Sequence, residues 1–464
     1  MRLVAGGALA SLLLAGCTAA SVPVIDPAAG IALPSGYFAD ARPPAGADEL
    51  WWRGFRDSEL DALLDKALAR NQSLAAARQR LLAAEAIVTA ETADFLPNID
   101  GGLEAGIDID DSGSTARSAG AGLSGSWTID INGRLSAERA VAAAQADGAA
   151  YFLADQRRLV AAAVAGQYIE LQRTLARLRL LDQSTELQRQ TLRIVTLRFE
   201  AGLSSNLDVR RAAADLARTQ AQRGPLLLAR AQAANALSVL VGDPPSPLAE
   251  ATDNVGVPEY SGGPEVGVPA DLLRRRPDLL LAEADVAAAA AEVGIERADL
   301  LPALTLPGLL TLGDGSIDGL FSQAVAGLAA VLDIPLFDGG RRRAEVAAAE
   351  AELEASAADY RQVLLEVAAE VESALVAIAS ARDRDAALVT AVEESEAAFE
   401  QSNALYREGL ASLFDILDVQ RQLISSQESL IDSRADLSQA YVALFAAVGA
   451  PNEASSDSGT HITP

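Results

Sequence analysis

Between Pro97 and Gly133 apolar and polar residues alternate: Ile99, Gly101, Leu103, Ala105, Ile107 and Ile109 share one parity, and Asp100, Gly102, Glu104, Gly106, Asp108 and Asp110 the other. After a Ser-Gly-Ser loop at 112–114 the alternation resumes, with Ala119, Ala121, Leu123, Gly125, Trp127, Ile129 and Ile131 against Ser118, Gly120, Gly122, Ser124, Ser126, Thr128 and Asp130. A period of two predicts a β hairpin over 99–131 with one apolar and one polar face. Strands of 11 and 13 residues match the roughly 9–11 that a tilted strand needs to cross a bilayer. A soluble hairpin with one buried face shows the same alternation.

Elsewhere the period is helical. No proline falls between Pro97 and Pro225 or between Pro335 and Pro451. The spacing of Val164, Tyr168, Leu171, Leu175 and Leu178, and of Leu364, Val367, Val371, Leu375 and Ile378, is the three-four alternation of helices packed as coiled coils. Helices are predicted over 134–200 and 340–406, each about 100 Å long at 1.5 Å per residue. Shorter helices return over 205–240 and 412–447.

The pattern is written twice. Pro97 corresponds to Pro302 at an offset of 205, and Gly133-Arg134, Gly202-Leu203 and Asp208 correspond to Gly340-Arg341, Gly409-Leu410 and Asp415 at an offset of 207. A fixed offset over so long a stretch marks a tandem duplication. The first repeat covers 50–241, opening with a helical run over about 55–95. The second covers 271–449, with its opening helix at 278–300 and a less regular hairpin over 303–337, where Pro307 and Pro335 interrupt. A linker at 242–270 joins the repeats, and 450–464 reads as a disordered tail. The repeat carries the odd apolar parity of the first hairpin onto Leu304, Leu306, Leu310, Leu312, Leu328, Leu332, Ile334 and Leu336. Four spanning strands cannot close a barrel, and lipid tolerates no open sheet edge, so two or more copies must share one.

Composition narrows the chemistry. The 464 residues are 50% hydrophobic but 4% aromatic, and the net charge of −27 disfavours nucleic acid as a partner. With His461, Lys66 and Cys17 each the sole residue of its kind, phosphate loops of Walker type, His triads, multi-His metal sites and disulfides are excluded. No catalytic residue, metal or cofactor is expected, and no apolar run is long enough for a membrane helix. Residues 1–16 read as an export signal. Leu14-Ala15-Gly16-Cys17 resembles a bacterial lipobox, which makes Cys17 the lipid attachment site at the head of an extended segment, 17–49; a plain secretory signal is the alternative.

These features, with "LPNI" at 96–99, "VPADLLRRRPDLLLAEADV" at 268–286, "DIPLFDGGRRRAEV" at 333–346 and "YREGLASLFDILDVQ" at 406–420, resemble the TolC-type outer-membrane efflux factors, lipoprotein branch. The match runs from Trp51 to Gly449. The resemblance implies a homotrimer whose twelve strands form one barrel above a long α-helical periplasmic tunnel. It further implies outer-membrane lipid around the barrel, a periplasmic adaptor, and an inner-membrane exporter, most often of the proton-driven RND type. An exit duct for small molecules is the expected function. A type I protein-secretion duct and a structural or adaptor coiled-coil lipoprotein are the alternatives.

Within that frame the helix turns Gly202-Leu203 and Gly409-Leu410 are the expected adaptor-docking tips. Asp415 and Asp418, three residues apart on one helix face, are the expected periplasmic entrance ring. Asp100, Glu104 and Asp108 are expected in the barrel lumen. Ala411 stands where the family's founding member carries a basic gating residue, so no gate salt bridge is carried over there. Arg274-Arg275-Arg276 reads as a structural ion-pair cluster.

Overall fold

The computed structural model describes residues 22–31, 50–109, 111, 113, 115–245, 256–261, 276–313 and 322–449. The export signal, Cys17, Arg274, Arg275, most of the inter-repeat linker and the C-terminal tail lie outside the described residues, as does the side chain of Asp108. Among the described residues the elements follow in chain order: α1 (Ser58–Arg70), α2 (Gln72–Ala93), β1 (Asn98–Ile109), β2 (Thr115–Ile129), α3 (Arg134–Glu200), α4 (Asn206–Ala221), α5 (Arg223–Leu240), α6 (Pro277–Ala298), β3 (Ala303–Leu312), β4 (Ala324–Leu328), β5 (Val331–Asp333), α7 (Arg341–Arg407) and α8 (Leu413–Val448). A 3-10 turn, Trp51–Phe55, precedes α1. Among the described residues no helix is long and apolar enough to cross a membrane.

The chain divides into two compact units. The first contains Arg78–Phe152, Asp278–Val363 and the segment ending at Ile31, and carries the sheet. Its strands run in the order β1-β2-β3-β4, all antiparallel, with β5 pairing β3 beside β4. Strand-to-helix junctions are fixed by polar caps. Asp130 accepts from Leu135 N at 3.2 Å and Ser136 N at 3.0 Å, starting α3, while Asp338 accepts from Gly340 N at 2.9 Å and Arg342 N at 3.2 Å, starting α7. Arg134 ties the start of α3 to Asp299 at 2.7 Å, just beyond α6.

The second unit contains the segment ending at Ala77, Leu153–Pro277 and the segment from Leu364. Its core is the helical stripe expected from the sequence: Val164, Tyr168, Leu171, Val371, Leu375 and Ile378 are all buried, joined by Leu237, Ala435 and Leu444. An aromatic cluster closes one side, with Trp51 stacked on Phe445 at 5.2 Å and Tyr260 against Tyr441 at 4.7 Å. A Cβ at Gly54 would collide with the Tyr260 ring, so the 3-10 turn is seated directly on the aromatic plane. Arg276, whose side chain is almost fully enclosed, bonds Glu370 at 2.6 Å and the Ala447 carbonyl at 2.8 Å.

Three elements differ from the sequence reading. The single opening helix over 55–95 is a 3-10 turn and two helices, because Asn71 turns its side chain back to accept from Ser73 N and Leu74 N and thereby starts α2. The return helix over 205–240 breaks at Gln222, where Pro225 supplies no N–H and is tolerated only in the first turn of a new helix. The return strand of the second hairpin is split: Ala329 N bonds the Pro307 carbonyl at 3.0 Å, and regular pairing ends at Asp333, leaving Ile334, Pro335 and Leu336 outside the ladder.

Candidate functional site

Register decides whether the two hairpins share their faces. Leu123 sits opposite Gly101 on β1 and Leu310 on β3; Trp127 sits opposite Leu306, and Leu310 opposite Ala326 on β4. The apolar sets of all strands therefore fall on one side, and Ile99, Leu103, Ile107, Leu123 and Leu328 are exposed on it. Asp100 faces Ser124, and Glu104 faces Gly120, on the other side. Asp108 takes its register position opposite Ala116 on the same side as Asp100 and Glu104. β2 begins at Thr115, earlier than the sequence pattern suggested, which puts Arg117 on the apolar side opposite Ile107, in the third pair from the hairpin loop. β1 and β4/β5 are the outer edges of this sheet.

At the far turn of each repeat, sequence dictates an identical pair of caps. Gly202 has φ 74° and Gly409 φ 77°, the left-handed region in which a side chain is strained. Leu203 N donates to the Arg198 carbonyl at 2.7 Å and Gly202 N to Phe199 at 2.9 Å; Leu410 N donates to Leu405 at 2.8 Å and Gly409 N to Tyr406 at 3.0 Å. Each is a Schellman closure, and each is followed by a capping box, Ser205 with Asp208 and Ser412 with Asp415. Leu203 and Leu410 project into solvent at 69% and 76% exposure.

The capping box gives one expected ring residue a structural duty as well. The Asp415 carboxylate accepts from Ser412 N at 2.9 Å and Ser412 Oγ at 2.7 Å, and these bonds hold its carboxyl below the usual carboxylate range. Asp415 is thus first a helix cap, as its counterpart Asp208 is. Asp418 is exposed and lies 3.6 Å from Arg421.

The two tips touch. Val195, Tyr406, Leu413, Ile416 and Leu417 form a small core with Val209 and Ala411 against it. Arg198 lies over the Tyr406 ring of this core. Sequence reasoning missed it, although the repeat offset gives a signal: residue 405, its counterpart, is leucine. Gln420 was also missed; it is wholly buried, with neither amide atom partnered. Among the described residues no His, Cys, Asp and Glu cluster has the makings of a metal site.

The profile of the outer membrane efflux protein family matches residues 63–243 and 268–450, once per repeat, and the chain belongs to that family. It is 31% identical over 458 residues to the pyoverdine export outer membrane protein OpmQ of Pseudomonas aeruginosa, with 95% of each chain covered. It is 32% identical over 448 residues to nodulation protein T of Rhizobium leguminosarum bv. viciae, with 91% of each covered. The solved outer-membrane channel OprN superposes with a TM-score of 0.82 at 26% identity, covering 93% of this chain and 99% of that one. The protein is accordingly an outer-membrane subunit of a trimeric efflux channel with the TolC-like fold, the exit duct of a tripartite efflux system.

Proposed function

We propose that the Asp100–Glu104 face of the sheet lines the lumen of this duct and that the opposite, apolar face meets lipid. The supporting observation is the register: four strands from two repeats put every large aliphatic of one parity on one side, at positions exposed in the single chain. Twelve such strands from three copies leave no unpaired edge.

In this reading the Gly202-Leu203 and Gly409-Leu410 turns dock a periplasmic adaptor through their exposed leucines. Asp418, with Asp415 behind it, supplies the acidic entrance ring. Cys17 anchors the chain by lipid. Val22, five residues further on, packs against the Gly294 position of α6 beside Ala137, near the start of α3 and the strand ends. Five extended residues span at most about 18 Å, so a lipid on Cys17 is within reach of the barrel's periplasmic rim. The subunit performs no bond chemistry. Its cargo is small molecules delivered by an RND-type exporter; the OpmQ relative is named for pyoverdine export, which fits a duct for small molecules better than one for proteins.

The test is reconstitution in planar bilayers. A trimer that conducts ions and prefers cations supports the reading; a monomer without conductance, or an anion-selective pore, overturns it. Intact-mass analysis of the mature protein decides the anchor, and an unmodified or absent Cys17 removes it.

A further inference from the structure

The polar face of the sheet is not uniformly polar. In the first repeat it carries Asp100, Glu104, Ser118, Ser124, Ser126 and Thr128, but in the second the same face presents Leu309, Val325 and Val331, all at least half exposed. Leu309 is registered directly opposite Ser124, so the acidic and apolar halves meet at the β2–β3 pair.

Where they meet there is a concavity of about 500 Å³, lined by Glu104, Ser118, Ser124, Leu309 and Thr311 over a floor of glycines interleaved with Leu103, Ala119, Ala121, Leu123 and Leu312 of the other parity. Gly102 and Gly122 are paired across the strands. A Cβ on Gly102 would meet nothing within 4 Å, whereas one on Gly120 would stand 2.9 Å from Glu104 Oε1. The missing side chains thus open the hollow and let the Glu104 side chain lie across the sheet at its edge. By register, no Lys or Arg of β1–β5 falls on this face; Arg117 is on the other.

A hollow with, among the described side chains, one carboxylate, an aliphatic wall, hydroxyls and no competing cation complements one chemical class. We propose that it is a transit subsite for amphipathic organic monocations, one per subunit. Glu104 meets the charge, Leu309 the apolar body, and the glycine floor admits a flat or bulky group. The inference rests on this face lining the lumen. The carboxylate draws cations generally, but only the aliphatic wall distinguishes a lipophilic cation from a hydrophilic one.

The test is block of single-channel current by tetraphenylphosphonium chloride against tetramethylammonium chloride, on the full-length trimer. Tetraphenylphosphonium is expected to block at about tenfold lower concentration than tetramethylammonium, a difference equivalent to about 1.4 kcal/mol. Leu309→Thr, a substitution that suits a strand, should remove that advantage and leave tetramethylammonium unchanged. Glu104→Gln should weaken block by both, and more than Asp100→Asn does. Equal block by the two cations in the parent overturns the subsite, and needs no variant to fold. Leu309→Thr without effect, or Asp100→Asn as damaging as Glu104→Gln, also overturns it by reducing the effect to the general field of the lumen. A parent that conducts but does not discriminate refutes the subsite alone, whereas a parent that does not conduct refutes the duct geometry beneath it.

Discussion

Arg198 of the first repeat is clamped onto Tyr406 of the second. Its guanidinium carbon lies 4.7 Å from the ring centre, and its Nη1 donates to the Tyr406 carbonyl at 2.9 Å. That carbonyl also accepts from Gly409 N, so one peptide group serves both the second tip's cap and the bond between tips. A cation over an aromatic face contributes about 0.5–2 kcal/mol depending on desolvation.

Arg198→Ala is therefore expected to free the two tips from each other without unfolding the long helices. Limited proteolysis should show faster cleavage near 199–205 and 406–412, with the melting temperature nearly unchanged. Arg198→Lys should restore little, because an ammonium loses the planar stacking. Unchanged protease sensitivity in Arg198→Ala would mean that the small core of Val195, Leu413 and Ile416 suffices alone.

Gly409→Val forces a β-branched residue into left-handed backbone, at a cost of about 1–2 kcal/mol. The loss should show as a loosened second tip and reduced crosslinking to the adaptor. Leu410→Asp should reduce crosslinking as well, yet leave the cap intact, because only its backbone N–H closes the turn. Normal crosslinking and export in both variants would remove the docking assignment.

The Asp415 cap makes the second tip acid-sensitive in one direction. Its folded pKa is depressed, chiefly by the Ser412 hydroxyl, so its contribution is complete above the unfolded value of about 3.9 and is lost as pH falls through the folded value. Amide-exchange protection factors at residues 412–416, taken against the intrinsic rate at each pH, should fall below about pH 4, and Asp415→Asn should remove most of that dependence. The same variant is expected to weaken trivalent-cation block of the pore less than Asp418→Asn does, because Asp418 carries no capping duty. Equal loss of block in the two would restore Asp415 as a full member of the ring.

Glu59 titrates in the opposite sense. Burial first, and then the neighbouring Asp57, push its carboxyl above the ordinary value, so ionisation at neutral pH opposes folding. Tyr168 donates its hydroxyl to Asp57 at 2.9 Å and lies 3.4 Å from Glu59. Glu59→Gln should raise the melting temperature at pH 7 and change it little near pH 4; a fall at pH 7 would show that the Tyr168 contact outweighs the repulsion.

Side by side on the barrel, Leu123→Arg should cost about 2–4 kcal/mol of assembly, and Ser124→Arg much less. The fraction of trimer surviving detergent measures both, and equal losses would reverse or erase the assignment of faces.

Periodicity and repetition made much of this fold legible in advance. The hairpin faces, the long helices and the turns at Gly202 and Gly409 each follow from local rules that recur at a fixed offset. What stayed hidden depends on contacts between segments distant in sequence. Asn71 starts a helix with its own side chain, but its Nδ2 also donates to the Leu240 carbonyl, and nothing nearby in the sequence announces that partner. Arg198 reads as an ordinary surface charge until Tyr406, 208 residues away, is placed beneath it. Asp415 is the opposite case: Ser412 lies three residues before it, and an acid after a Gly-Leu turn already reads as a helix-start cap. The hollow beside Glu104 needed the β2–β3 register, which pairs strands of different repeats.

The two open edges of the sheet, β1 and β4/β5, tie heredity to geometry. A subunit with one spoiled edge still offers its sound edge to a neighbour, so it is recruited into trimers rather than left out. When altered and unaltered chains are made in equal amounts and mix freely, only about one-eighth of the trimers are wholly unaltered. Edge alleles are thus expected to be dominant over the wild type, whereas alleles that unfold the chain outright are recessive.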